Sequence, residues 1–115
     1  MTDLLISRLG LASDQLRGET IIVTGGGGGI GYEAARAFLW LGANVVIAEI
    51  DPKGAQATEG LNAEFPGGRA LFVQTDVGTE ASVQGLHRES VQRFGKVDVV
   101  INNATIAVLG QVKDL

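Results

Sequence analysis

The sequence contains no cysteine and a single histidine, His87. A disulfide framework and a thiolate zinc site are therefore excluded, and a histidine-rich metal site lacks the residues to form. Basic clusters are absent and the net charge is −4, which argues against a nucleic-acid surface, whose footprint is basic. No apolar run approaches the length of a membrane span. The start, Met1-Thr2-Asp3, lacks the basic and apolar regions of a secretory signal. Repeats and low-complexity tracts are missing too, apart from one run of glycines. What remains is a chain of 115 residues, 45% hydrophobic and 19% charged. That is enough for one globular domain with a real core. A soluble cytoplasmic protein, with no nucleic-acid or membrane partner, is the expectation.

The glycine run is the chain's organising feature. Thr24-Gly25-Gly26-Gly27-Gly28-Gly29-Ile30-Gly31 follows the apolar Ile21-Ile22-Val23 and precedes a helical pattern from Tyr32 to Leu41. Strand, glycine turn and helix in that order build a phosphate site. Bare backbone can approach a pyrophosphate, and the first helical N–H groups have no intrahelical partners. The helix dipole adds roughly half a positive charge there. Gly26-x-Gly28-x-x-Gly31 also satisfies the dinucleotide fingerprint, but five consecutive glycines leave its register open. The competing reading is a flexible linker. The shortness of the run, set between two hydrophobic elements without serine-rich flanks, favours the turn.

Residues 1–18 read as a leader, with Leu4, Leu5, Ile6, Leu9 and Leu11 suggesting a short amphipathic helix from Asp3 to Leu9 that Gly10 would end. Residues 19–115 read as a partial dinucleotide-binding domain. The expected elements are a strand at Thr20–Thr24, a helix from about Gly31 to Leu41 stopped by Gly42, and a strand at Asn44–Glu49. Asp51-Pro52 reads as an N-cap and first helical residue of a helix running to about Glu64. A turn at Phe65-Pro66-Gly67-Gly68 leads to a strand at Ala70–Gln74. A helix from about Thr79 to Phe94 follows, with Val83, Leu86, Val91 and Phe94 on one side. Gly95 ends it before a strand at Val97–Asn102. Alternating strands and helices imply an α/β, Rossmann-like, doubly wound parallel sheet. Its expected strand order is 3-2-1-4, with the ligand crevice at the C-terminal ends of strands one and four.

The residues just past the strands line that crevice. Glu49 lies 20 positions after Gly29, where a dinucleotide fold places the acid that bonds the adenosine ribose hydroxyls. Asp51 is a rival at similar spacing, although it already has a local role before Pro52. A solvated strand-end carboxylate is the plain alternative for Glu49. Asp76 could cap the third helix or, if Thr79 does so, face the crevice. Asn102 and Asn103 could satisfy loose turn backbone while also facing a ligand.

Taken in order, Thr24-Gly25-x-x-x-Gly29-Ile30-Gly31, Asp76-Val77 and Asn102-Asn103-Ala104 resemble the successive motifs of the short-chain dehydrogenase/reductase family. The resemblance covers residues from about 16 to 106. It implies a nicotinamide dinucleotide cradled by the turn: Gly25, Gly29, Ile30 and Gly31, with Gly27 and Gly28 between them. It places Glu49 on the adenosine ribose, Asp76 and Val77 on adenine, and Asn103 and Ala104 on the ribose side of the crevice. Glu49 points to NAD over NADP. Thr105 stands where the family has glycine, and Gly26, Gly27 and Gly28 replace the small or polar residues often seen there. The family's chemistry resembles acid catalysis by a Tyr-x-x-x-Lys pair assisted by a serine, and no Tyr-x-x-x-Lys occurs in these residues. Tyr32 and Arg36 mimic the spacing, but Tyr32 follows the glycine turn on the wrong element, and packing on its helix is the simpler reading. His87 is expected in solvent, and Trp40 in packing at the end of the first helix.

The expectation is the cofactor-binding N-terminal part of an oxidoreductase, inactive by itself, with its fourth strand uncovered and prone to self-association. An incomplete enzyme, a stand-alone nucleotide-binding module and an interaction protein are its three competing versions.

Overall fold

Uninterrupted apolar runs such as Ile21–Val23 and Val45–Ala48 suit a strand only if both its faces are covered, and that requirement sets the architecture. In the computed structural model, which describes residues 14–103, four strands form one parallel sheet. They are β1 (Thr20–Thr24), β2 (Asn44–Glu49), β3 (Ala70–Gln74) and β4 (Val99–Asn102). Three helices connect them: α1 (Gly29–Trp40), α2 (Gly54–Glu64) and α3 (Glu80–Phe94). The order across the sheet is β3-β2-β1-β4, as the alternation of elements predicts. In register, Val23 lies beside Ile47 on one side and Ile101 on the other.

Side-chain alternation divides the strands between two cores. Ile21, Val23, Val45 and Ile47 meet Ala35 and Leu39 of α1, Leu61 of α2 and Phe65. Ile22, Val46, Ala48 and Val73 face the other way and pack on Leu86 of α3. Helices on both faces explain why the β1 and β2 runs are uninterrupted by polar residues. The chain moves outward from β1 to β3 and then returns to the far side of β1 for β4. Strand order therefore reverses between β1 and β4, where such sheets open a crevice.

Several boundaries depart from the sequence reading. Helix α1 starts at Gly29, two residues early. Asp51 does not cap α2 directly. Its carboxylate accepts the Lys53 N–H (2.9 Å) and its carbonyl the Gly54 N–H (2.9 Å), so a separate turn precedes the helix. Thr79 is the N-cap residue of α3, but its hydroxyl reaches the Asp76 carbonyl (3.3 Å) and caps no helical N–H. Strand β4 begins at Val99, while Val97 packs against the second core. Only Leu86 of the expected apolar stripe on α3 is buried; Val83 is exposed, and Val91 and Phe94 are half-buried. Trp40 and Tyr32 pack against the first core and His87 is exposed. The expected leader helix, Ala104 and Thr105 lie outside the described residues. No helix of the described residues is long and apolar enough to cross a membrane.

Candidate functional site

Strand β1 delivers Thr24 to the top of the sheet as a buried residue. Its hydroxyl accepts the Asn103 N–H (2.8 Å) and lies 3.3 Å from the Ile101 carbonyl and 3.2 Å from Asn102 Oδ1. This single oxygen ties the end of β1 to the end of β4. The Asn103 side chain continues the link, donating from Nδ2 to the Gly25 carbonyl (3.3 Å). On the other flank, Gly25 donates its N–H to the Ala48 carbonyl of β2 (2.7 Å). The turn is thereby anchored to both neighbouring strands.

The register left open by five glycines is decided by sterics. Gly25 (φ 68°) and Gly29 (φ 59°) occupy left-handed backbone, which costs other residues about 1–2 kcal/mol. At Gly31 there is no room: a Cβ would lie 2.5 Å from the Gly25 carbonyl oxygen and 2.7 Å from Asn103 Nδ2. These positions, 25, 29 and 31, are the spacing of the longer motif, not of Gly26-x-Gly28-x-x-Gly31.

Helix α1 starts from Gly28 with no side-chain cap, and its first turn holds no acidic residue. Its orphan N–H groups and positive dipole end are thus left without a charged partner from the helix itself. Gly28, Gly29 and Ile30 are exposed here, Ile30 to 81%. Across from this helix start, at the end of β2, stands Glu49. Its Oε1 accepts the Gly27 N–H and its Oε2 the Asp51 N–H, both at 3.2 Å. Gly27, Gly28, Glu49, Asp51, Lys53 and Gly54 enclose a cavity of about 250 Å³. Of the two rival carboxylates, Glu49 is the one bonded to the glycine turn. Asp51 shares the cavity wall but is bonded within its own turn.

Beyond β3, Asp76 is exposed and its Oδ1 accepts the Gly78 N–H (2.9 Å), while its own N–H donates to Ser82 Oγ (2.8 Å). Val77 joins Thr24 and Asn102 around a second, apolar groove of about 270 Å³ between α3 and β4. The structure therefore brings together Gly25, Gly27, Gly28, Gly29, Gly31, Glu49 and Asn103, and sets Val77 beside the end of β4. The hub role of Thr24 and the cavity walls Lys53 and Gly54 were not assigned from the sequence. Their partners are distant in the chain, and Gly54 is needed because a Cβ there would collide with the Phe72 ring.

Three ionisable sites with shifted equilibria lie away from the cleft. Arg36 and Glu64 pair between α1 and α2 (2.7 Å), and the guanidinium holds the Glu64 carboxyl below its usual range. Arg69, lowered by burial, donates to the Leu39 and Ala43 carbonyls at the other end of the sheet. Asp98 accepts the Thr20 N–H at the foot of β1 and is held low by it. The cleft itself offers backbone donors aimed outward and one carboxylate acceptor. Those groups can bind an anion next to a hydroxyl-bearing group.

Comparison with known proteins agrees with this geometry. The short chain dehydrogenase family model matches residues 19–115. A short chain dehydrogenase/reductase, astE, of Aspergillus oryzae is 40% identical over 91 residues, covering 79% of this chain and 35% of the relative. A short chain dehydrogenase structure from Mycobacterium smegmatis superimposes with a TM-score of 0.74 at 33% identity, covering 82% of this chain and 40% of that one. A 3-ketoacyl-(acyl-carrier-protein) reductase from Brucella melitensis, solved with NADH, gives 0.65 at 35% identity, covering 74% and 33%. The chain thus spans about a third of the length of the curated relative. Sheet order, the glycine register and the family match agree: the chain belongs to the short-chain dehydrogenase/reductase family.

Proposed function

We propose that the cleft binds a nicotinamide dinucleotide, NAD in preference to NADP, and that this chain is the cofactor-binding portion of an oxidoreductase acting on an alcohol or carbonyl. The observation that carries the reading is the pairing of an uncapped, acid-free helix start with the Glu49 carboxylate across one cavity. The residues fit such a group. A Cβ at Gly28 would meet nothing within 4 Å, so the backbone there is open to a ligand. Family membership and a structural relative solved with NADH support the cofactor class.

In this reading the N–H groups of Gly29, Ile30 and Gly31 face the pyrophosphate, with Gly25, Gly27 and Gly28 shaping the turn beneath it. Glu49 accepts the adenosine ribose hydroxyls. Its oxygens already accept two N–H groups, and a carboxylate has about four lone-pair sites, so capacity remains. Asp76 and Val77 border adenine. Asn103 holds the turn through Gly25 and, with Ala104, borders the second ribose. The cofactor, when bound, supplies the hydride chemistry. Proton transfer needs a group these residues lack, since no Tyr-x-x-x-Lys occurs among them. The 115 residues alone are accordingly read as a binding unit without turnover, and exposed β4 as a surface for self-association.

Charged hydrogen bonds contribute about 1.5–3 kcal/mol, which is roughly tenfold to a hundredfold in affinity. A 2′-phosphate removes one donor and sets like charge against Glu49. Lys53, on the cavity wall, is the nearest counter-charge. Titration calorimetry with NAD and NADP on the wild type and on Glu49→Ala tests the assignment. NAD is expected to bind more tightly, with the preference shrinking in the variant. Equal affinities in the wild type, or a preference that Asp51→Ala and not Glu49→Ala removes, would overturn it.

A further inference from the structure

The glycines of the turn are not equivalent. Gly27 lies outside the left-handed region that Gly25 and Gly29 occupy, so its own backbone does not call for glycine. What faces it is Glu49. A Cβ at position 27 would lie 2.9 Å from Oε1, 3.1 Å from Cγ and 3.3 Å from Cδ of that side chain. The Gly27 N–H donates to the same Oε1 at 3.2 Å. A second glycine adjoins the stem of Glu49: a Cβ at Gly54 would come within 3.1 Å of the Glu49 Cβ and would collide with the Phe72 ring. The carboxylate therefore lies in a slot left by two residues that have no side chain.

We infer, on the cofactor reading given above, that Gly27 is a positioning residue for Glu49: its bare Cα lets the carboxylate close on the turn, and so sets the cleft's preference for NAD. Carbon atoms in contact settle at about 3.5–4.0 Å. A methyl group at position 27 would drive the Glu49 Cγ and Cδ back by roughly 0.4 Å, starting from 3.1 and 3.3 Å. The same withdrawal takes the Gly27 N–H bond from 3.2 Å to about 3.6 Å, beyond hydrogen bonding. Both contacts end on the tip of a flexible side chain, so the tip moves and the fold does not. As it swings, Oε2 leaves the Asp51 N–H, which it now accepts at 3.2 Å. A ribose placed by the turn then finds its acceptor displaced. A 2′-phosphate loses nothing, because it gains only like-charge repulsion from Glu49.

The test is a double-mutant cycle on the full chain: wild type, Gly27→Ala, Glu49→Ala and the double variant, each titrated calorimetrically with NAD and with NADP. Gly27→Ala is expected to weaken NAD roughly tenfold, the size of one lost hydrogen bond to a charged group, and to leave NADP binding undiminished. In the Glu49→Ala background the same change should have no effect on either cofactor, since no carboxylate remains to be displaced. Hydrogen exchange of the Asp51 amide, read by NMR on the ligand-free chain, reports the carboxylate directly. It should be faster in Gly27→Ala, approaching the rate in Glu49→Ala. Wild-type affinity for NAD in Gly27→Ala, where Glu49→Ala weakens it, would overturn the inference. So would an equal loss for both cofactors that persists without Glu49, the mark of a distorted turn. A Gly27→Ala chain that does not fold contradicts the small structural cost and overturns it as well. If NAD binding does not respond to Glu49→Ala, the ribose reading fails instead. The Asp51 amide then decides alone, and protection kept in Gly27→Ala would show that Gly27 does not place the carboxylate.

Discussion

Gly31→Ala should unlock the top of the sheet although it adds one methyl group. The new Cβ would lie 2.5 Å from the Gly25 carbonyl oxygen and 2.7 Å from Asn103 Nδ2. The first neighbour is backbone, tied to β2 through the Gly25 N–H to Ala48 bond, so it cannot rotate away. Overpacking of this kind costs about 1–3 kcal/mol. Displacing Asn103 also forfeits its bond to Gly25, about 0.5–1.5 kcal/mol. Alanine in a helix returns roughly 0.5–1 kcal/mol relative to glycine. The net loss is about 1–3 kcal/mol. Urea unfolding followed by circular dichroism measures it, with Gly28→Ala as the matched control. Gly28 has extended backbone (φ −171°) and nothing within 4 Å of an added Cβ. Its substitution should cost only the modest difference between glycine and alanine at an N-cap, under about 1 kcal/mol. Adding Asn103→Ala to Gly31→Ala should rescue little, because the carbonyl contact stays. A Gly31→Ala protein as stable as the Gly28→Ala control would refute the packing argument. Full rescue by Asn103→Ala would show that the amide, not the carbonyl, is the obstacle.

The remaining expectations concern chemistry, association and pH. Purified chain with NADH and a panel of ketones should give no turnover above buffer; robust turnover lost in Tyr32→Phe would instead make Tyr32 an acid catalyst. Strand β4 has a neighbour on one side only among the described residues, and Val100 is 56% exposed. Light scattering at low micromolar concentration should detect self-association that Val100→Lys reduces, since charged edges resist strand addition; a clean wild-type monomer counts against this. Glu64 is held below its ordinary value by Arg36, so its contribution is complete above about pH 4.5, the unperturbed value, and is lost as pH falls through the lowered one. Glu64→Gln should therefore be less stable at neutral pH and show a shallower acid loss; parallel pH profiles would argue against the pair.

The strand limits of β1, β2 and β3, and the order β3-β2-β1-β4, were readable because their signals are local. Uninterrupted apolar runs demand cover on both faces, and helices between short turns permit few windings. The candidate cleft was also readable in outline as a proposal, since a strand–glycine–helix junction can occur only at a strand's C-terminal end. Other choices depended on neighbours remote in sequence. Which glycines are obligatory follows from the path of the turn past Asn103, 78 positions away from Gly25. Glu49 rather than Asp51 grips the turn because β2 places it beside Gly27, while Asp51 is drawn into a turn with Lys53. The Thr24 hydroxyl became a hub only when β4 came to lie beside β1. Val83 fitted a helical stripe, yet burial depends on what lies opposite, and α3 overhangs β4 where Val100 is open. Periodicity fixes which face a side chain takes; only the assembled sheet decides whether that face meets a partner, a cavity or solvent.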